Sequence, residues 1–365
     1  MLSLISLTAT LLFIYGYIRC WILACEYARY KGYSKVFSWL GILNVFGLSI
    51  LFLLRNRRLN DTDLSNNNAI ENFSISAIFL SYVAIEFLFI PVAFLGAILL
   101  FGIEPKSVGD LLSNKDFIAV YSIPIGMVIV WYFFREMRRA RVNFKHITGS
   151  FKKVDYKLPL GLAIAQYFFA DGTSNIILYG LSFVAPKYVE HRVNEISATT
   201  TWGYACFAFL VLIFAPIMEE LFFRGIIFQK LAIKKNPVKG LVISALLFTV
   251  VHFRHDVISL FTVGVTLALL YLKTKQIIVP IICHFFYNLI VLANIIYWQF
   301  FDTDGSDVAS TVADYQQYFI EHLGLSILYV AISAPLISYF IYKNFPYSYD
   351  VDRLPYFANK KIESA

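Results

Sequence analysis

Long apolar stretches, repeated along almost the whole chain, constrain this sequence more than any other feature. Each is long enough, or nearly so, to cross a hydrocarbon core of about 30 Å. They lie at 2–24, 36–54, 75–102, 117–134, 158–185, 203–229, 238–253, 257–272, 277–299 and 323–342. Backbone in lipid must satisfy its own polar groups, so such segments form helices. The sequence therefore predicts an all-α, polytopic transmembrane helix bundle of about ten helices.

The composition agrees with a membrane protein. Hydrophobic residues make up 59% of the chain and charged residues 15%, whereas soluble domains have roughly 45 to 50% and 25%. Too few polar side chains remain to cover a soluble surface. The net charge of +7 does not indicate nucleic-acid binding, because the basic residues cluster in loops between the apolar runs.

The loop charges predict an orientation in the cell membrane. The loop 135–157 is strongly basic, which places it in the cytoplasm by the positive-inside rule. Alternation then puts both termini inside and the acidic loop with Asp302, Asp304, Asp307 and Asp314 outside. The basic segment 29–35 disagrees with this alternation, so the orientation of the first helix is the least supported.

Ionisable residues inside apolar spans are concentrated in one segment. Each costs roughly 2.5 to 3.5 kcal/mol on insertion scales, so each needs a partner or a use. Glu220 and Arg224 are i, i+4 neighbours on a helix, whereas Glu219 lies about 100° round it. We expect Glu220 to pair with Arg224, which leaves Glu219 to act as a general base. An inert charge cluster that holds helices together is the alternative for this helix alone.

Two further apolar helices offer polar side chains. One ends with Phe248 and His252, and the other carries His284 and Asn288 on one face through i, i+4 spacing. A single intramembrane His or Asn usually joins helices by hydrogen bonds. Three helices that together offer a Glu, a His and a His/Asn pair instead favour a catalytic centre.

The three motifs, in this order, resemble the CPBP intramembrane proteases. They read Glu-Glu-x-x-x-Arg from Glu219, Phe-x-x-x-His to His252 and His-x-x-x-Asn from His284. The family includes the CAAX prenyl endopeptidases and the bacterial Abi proteins. The resemblance covers about 207–288, and Glu86 and Asp171 have no counterpart in the motifs.

The resemblance implies roles for these residues. Glu219, helped by His252, would activate a water that attacks the scissile carbonyl, while His284 and Asn288 would stabilise the oxyanion. Glu220, Arg224 and Phe248 would support the site. We expect no cofactor, because there is no His-Glu-x-x-His helix and Asn is a poor zinc ligand. If zinc is present, its ligands would be Glu219, His252 and His284.

Three regions and three functions follow as predictions. The regions are N-terminal transmembrane helices at 1–157, a CPBP-like protease core of about four helices at 158–300, and an external loop, last span and cytoplasmic tail at 301–365. The favoured function is an intramembrane endopeptidase whose partners are the lipid bilayer and a small peptide precursor or membrane-protein substrate, with no nucleic acid. The alternatives are a non-proteolytic bacteriocin-immunity or peptide-sensing protein and a proton-coupled transporter.

Overall fold

The computed structural model of the chain describes residues 115–150, 154–193, 200–300, 312–347 and 350–364. Before these it describes 18, 21–29, 31–34, 36–37, 39–40, 50–51, 54, 69–75 and 78. The predicted spans at 2–24, 36–54 and 75–102 therefore lie largely outside the described residues. Glu86 and the acidic loop residues Asp302, Asp304 and Asp307 lie outside them as well.

Helices form nearly all of the described part, which contains no β-strand, so the all-α class is confirmed. The helices used below are α1 (Ala69–Asn72), α2 (Lys115–Arg139), α3 (Phe144–Thr148), α4 (Lys157–Val184), α5 (Pro186–Val193), α6 (Thr201–Lys234), α7 (Pro237–Val250), α8 (Val257–Thr274), α9 (Ile278–Phe300), α10 (Val312–Asn344) and α11 (Pro355–Ser364).

The chain divides into two compact units, Met1–Val142 and Asn143–Ala365. Helix α2 belongs to the first unit, and α3 to α11 belong to the second. The predicted division of the chain at 157/158 and 300/301 stays a prediction.

Five described helices are long and apolar enough to cross a membrane, which confirms a polytopic bundle. They are Asp116–Arg139, Thr201–Lys234, Val257–Thr274, Ile278–Tyr297 and Val312–Asn344. Helix α7 is apolar but has only 14 residues. Helix α4 is long enough to cross a membrane, with 28 residues. It is not one of the five spans, because polar side chains interrupt its apolar sequence. The predicted span at 158–185 thus forms a helix, but a more polar one than its neighbours.

Helix α4 is surrounded by spans, which explains how it tolerates those polar residues. It packs against α8, α9 and most extensively α10. Gln166 is buried and donates to the Thr266 hydroxyl of α8 at 2.7 Å. Gly172 allows close packing, because a Cβ there would lie 2.5 Å from the backbone oxygen of Ser326 on α10. The polar side of α4 therefore faces protein.

The turn between α8 and α9 is fixed by the two short helices α3 and α11. The Asn359 amide on α11 donates to the backbone oxygens of His146 at 2.9 Å and of Lys275 at 3.0 Å. Gly149, just after α3, has a φ of 67°, and a Cβ at this position would lie 2.3 Å from the Lys275 oxygen. Glycine is therefore required where these segments meet.

Buried hydrogen bonds continue from this turn into α6. The Tyr271 hydroxyl donates to the Ile147 oxygen at 2.6 Å and accepts from the Gln229 amide at 3.3 Å. Gln229 also accepts from the backbone N–H of Tyr356 at 2.7 Å. The end of α6 that follows Glu219 and Glu220 is thus bonded to both α8 and α11.

Candidate active site

Helix α6, which carries the two glutamates, departs from regular α-helical geometry on both sides of Glu219. The backbone is π-helical at Leu210–Phe214 and again at Glu220–Phe228, with a short α-helical segment, Ala215–Glu219, between them. Pro216 lies in that segment and has no N–H to donate. Wide π-turns are frequent at functional sites, and here they flank the segment that ends at Glu219.

Glu220 and Arg224 form a fully buried ion pair within α6. Arg224 Nη1 donates to Glu220 Oε1 at 2.8 Å, the pairing that the i, i+4 spacing predicts. The side chains are 1% and 0% exposed, respectively. Arg224 also donates to the backbone oxygen of Gly264 at 3.3 Å, and its guanidinium lies 4.3 Å from the centre of the Phe248 ring. The cation is thus satisfied on several sides.

Glu219 has a different environment from Glu220. Its carboxylate oxygen Oε2 lies 3.9 Å from Nε2 of His252, and the two side chains are 27% and 25% exposed. This separation is too long for a direct hydrogen bond. Glu219 Oε2 is buried and has no hydrogen-bond partner among the residues that the structure describes. A carboxylate and an imidazole therefore face each other across a gap at a partly accessible position.

His252 is held by the backbone at the end of α7. Its Nδ1 lies 2.6 Å from the backbone oxygen of Phe248. A carbonyl oxygen only accepts, so Nδ1 carries the proton and Nε2 is directed to Glu219. The next residue, Phe253, has a φ of 47°, and this left-handed conformation turns the chain away from the helix.

His284 contacts Glu220, not Glu219. Its Nδ1 lies 3.0 Å from Glu220 Oε1, and the imidazole side chain is 6% exposed. An ionised carboxylate only accepts, so Nδ1 carries the proton of this hydrogen bond. Nε2 of His284 can then donate to a third group only if the imidazole is in its charged form.

Asn288 lies one turn further along α9 and contacts α6. Its Nδ2 donates to the backbone oxygen of Val211 at 2.8 Å, within the first π-helical stretch. An amide nitrogen has two hydrogens, so one donor of Asn288 remains available for another acceptor. His284 and Asn288 share a face of α9, as their spacing predicts, but within the protein each bonds a different part of α6.

The residues of the alternative zinc set are not gathered around one point. Across the described ranges, no three His, Cys, Asp or Glu side chains come close enough together to hold a metal ion. The Nδ1 atoms of both histidines carry hydrogen bonds, to Phe248 and Glu220, which leaves Nε2 as the ring nitrogen that could face a metal. The three side chains of this set therefore do not converge on one point among the described residues, and the absence of a zinc ion stays a prediction.

Phe248 is more central to the site than the sequence indicates. Its side chain is 1% exposed. The centroid of its ring lies 4.6 Å from that of His252 and 6.1 Å from that of His284. Together with the Arg224 contact, this places one aromatic ring among three of the polar side chains. Sequence reasoning also missed the backbone oxygens of Val211 and Gly264. Backbone acceptors have no sequence signal, although a glycine within the apolar α8 does indicate a close approach.

The comparison with protein families identifies the segment that contains this geometry. Residues 201–290 match the family model of type II CAAX prenyl endopeptidase Rce1-like proteins. These residues are similar to that family and are called the Rce1-like domain below. The predicted resemblance to the CPBP intramembrane proteases is therefore confirmed, and the Rce1-like domain comprises α6, α7, α8 and the first half of α9.

Individual relatives resemble a part of the chain of similar length. A protein of Bacillus subtilis (strain 168), the candidate membrane peptidase YdiL, is 42% identical over 81 residues, or 22% of this chain and 33% of the relative. The membrane-embedded CAAX protease MroQ of Staphylococcus aureus (strain USA300) is 39% identical over 89 residues, or 22% of this chain and 36% of the relative. The matches span about a third of the length of these relatives. No solved structure matches the chain.

Proposed function

We propose that the chain is an intramembrane endopeptidase in which Glu219 and His252 activate a water molecule. The observation that carries the proposal is the gap of 3.9 Å between Glu219 Oε2 and His252 Nε2. Both atoms are acceptors when His252 is neutral with its proton on Nδ1. A water molecule can donate one hydrogen to each of two such acceptors, which supports a water-activating role.

The proposed reaction uses this pair as general base and then as general acid. Glu219 takes a proton from the water as the oxygen attacks the scissile carbonyl carbon. His252 holds the water in line and accepts the second hydrogen bond. Collapse of the tetrahedral intermediate breaks the C–N bond, and the proton held by Glu219 passes to the leaving nitrogen. The products are a carboxylic acid and an amine, so water is the only co-reactant.

His284 and Asn288 are proposed to stabilise the oxyanion. Both lie on α9, which packs against the segment of α6 that contains Val211 and Glu219. His284 would donate from Nε2 while Glu220 holds its Nδ1, and Asn288 would donate its second amide hydrogen. Donors that are held in place before the reaction are worth more than mobile ones.

The proposed substrate is a small peptide precursor or a membrane protein. A site on apolar helices selects a substrate that can enter the membrane, which supports this class. One relative is named as a CAAX protease. The three motifs by themselves select no cleavage sequence, so we do not extend the proposal to prenylated substrates.

The test compares peptides from cells that carry wild-type protein, Glu219→Gln or Glu321→Gln. Glu321 is an exposed carboxylate on α10 and serves as the matched control. Cleavage products should disappear with Glu219→Gln, a loss of about 10²- to 10⁴-fold in turnover, and persist with Glu321→Gln. Equal product levels in all three strains, with equal amounts of folded protein, would refute the peptidase and favour a peptide-sensing protein.

A second measurement separates a metal-free mechanism from zinc catalysis. We expect purified protein to stay active after prolonged chelation, and His284→Ala or Asn288→Ala to lower turnover by about 10²- to 10³-fold. One equivalent of tightly bound zinc that is lost in His252→Ala would overturn the water-activation mechanism, while the peptidase assignment would stand.

A further inference from the structure

A second polar cavity lies between α4, α9 and α10. Its volume is about 340 Å³, which is at the lower end of the range for small-molecule sites. The side chains that define its chemistry are Tyr167, Asp171, Asn294, Tyr318, His322 and Tyr329. All of them except Asn294 come from α4 and α10.

Asp171 is the residue of α4 whose polarity the packing does not explain. Other polar side chains on this helix have partners: Gln166 bonds Thr266, and Ser174 bonds His255 at 2.8 Å. The Asp171 carboxylate lines the cavity together with His322, with which it interacts electrostatically, and no hydrogen bond or ion pair to it is found among the described residues. An ionisable side chain within a helical bundle is costly, so one that faces a cavity is a candidate to bind a ligand there.

The aromatic rings beside Asp171 are held in fixed positions. Tyr318 stacks on His322 with 4.2 Å between ring centroids and an interplanar angle of 28°. Tyr329 packs against Phe168 at 4.7 Å. Close packing of α4 and α10 at Gly172 keeps the two walls of the cavity together. The cavity thus offers one carboxylate and several restrained aromatic faces.

We propose that this cavity binds a ligand through a primary ammonium group. A carboxylate next to tyrosine rings provides both an ion pair and cation–π contacts, and an ammonium ion uses both. The lining includes no lysine or arginine within the described part of the chain, so no permanently charged cation there pairs with a phosphate. The ligand is therefore a simple amine or an aminoalkyl side chain, not the headgroup of a phospholipid.

This site is separate from the proposed catalytic centre. Of the six side chains, only Asn294 lies on a helix of the Rce1-like domain, and it lies beyond the matched residues 201–290. The proposal does not depend on peptidase activity. Binding can therefore be measured directly, and it can succeed or fail independently of the proposed function.

The experiment uses the full chain in a non-ionic maltoside detergent, which contains no amine. Calorimetry would measure binding of hexylammonium, with hexanol as the neutral analogue of the same length. We expect saturable binding of hexylammonium and none of hexanol. Addition of phosphatidylethanolamine should not compete with the amine, whereas a short peptide that contains lysine should compete more strongly than its norleucine counterpart. Equal binding of hexylammonium and hexanol would refute the proposal.

Substitutions in the lining test whether hexylammonium binds in this cavity. Asp171→Asn should weaken hexylammonium binding at least tenfold, and Tyr318→Leu or Tyr329→Leu should weaken it by about two- to tenfold. Glu321→Gln, next to His322 but exposed, should bind as the wild type does. If Asp171→Asn does not fold, the two tyrosine variants test the proposed binding site instead. Wild-type affinity in folded Asp171→Asn, or in both tyrosine variants, would overturn the assignment.

Discussion

Glu220 accepts two hydrogen bonds on a single oxygen, from Arg224 on its own helix and from His284 on α9. The residue therefore joins the ion pair of α6 to the helix that carries the proposed oxyanion donors. Glu219, its neighbour in sequence, has no such role. Two adjacent carboxylates thus differ in the groups that surround them, and substitutions at the two positions should differ in effect.

Arg224→Met should be strongly destabilising. It leaves the fully buried Glu220 without its cation, at a cost of about 3 to 5 kcal/mol for a broken buried pair. The double variant with Glu220→Gln removes both charges and should recover part of that loss. The amount of monodisperse protein and its melting temperature would measure the effect, with Glu219→Gln as the control that stays folded. Equal stability of Arg224→Met and wild type would contradict this account.

Local pairs were predictable from the sequence, but pairs between helices were not. The i, i+4 contact of Glu220 and Arg224 follows from helix geometry alone. The contact of His284 with Glu220 joins residues that are 64 positions apart and depends on how two helices rotate against each other. The π-turns after Glu219 also change which side chains share a face, and nothing in the residue spacing specifies them.

Among the elements, the junction of α3 with the α8–α9 turn is the most sensitive to added volume. Gly149→Ala would place a Cβ 2.3 Å from the Lys275 oxygen, and the φ of 67° disfavours any other residue. We expect a destabilisation of about 2 kcal/mol or more, since both steric overlap and backbone strain contribute. Thermal unfolding of the purified protein would measure it.

Gly180 on α4 provides the matched control for this prediction. A Cβ at Gly180 meets no atom within 4 Å, and alanine is favoured over glycine in a helix by up to about 1 kcal/mol. Gly180→Ala should therefore leave stability unchanged or raise it slightly. Similar melting temperatures for the two alanine variants would show that the Gly149 junction does not form as described.

The element pattern was predicted well where apolar length is the signal and poorly where partners matter. Helices α6, α8 and α9 lie close to their predicted ranges because lipid requires long apolar segments. Helix α10 begins at Val312 instead of 323, so Asp314, which was predicted to lie in the external loop, is in its first turn. Helix α4 was predicted as an ordinary span, yet its polar residues need specific neighbours. The short helices α3 and α11 were not predicted, because their stability comes from tertiary contacts that leave little trace in local sequence.

The stability of the second compact unit should depend on pH through Lys275. Burial, and next the charge of Arg353, lower the pKa of this lysine from 10.5 to about 8. The unfolded chain then binds more protons than the folded one between these values, so stability should rise as the pH increases from about 8 to about 10. Melting temperatures across this range would reveal the rise.

Lys275→Met keeps the aliphatic part of the side chain and removes the charge. The variant should be more stable than wild type near pH 7, and its melting temperature should rise less with pH. Lys273→Met, at an exposed position two residues earlier, is the control and should keep the wild-type profile. If the melting temperature of Lys275→Met rose with pH as steeply as that of wild type, Lys275 would not be the source of the pH dependence.

The polarity of α4 also has a consequence for biosynthesis. The translocon releases helices to lipid according to their apolarity, and α4, although long enough to span, is not among the five described helices that are also apolar enough. Its partners for Gln166 and Asn175 are synthesised 100 and 151 residues later. We therefore expect α4 to leave the translocon only when α8 and α10 have emerged. The order in which helices enter the bilayer would then differ from the order in which the ribosome makes them.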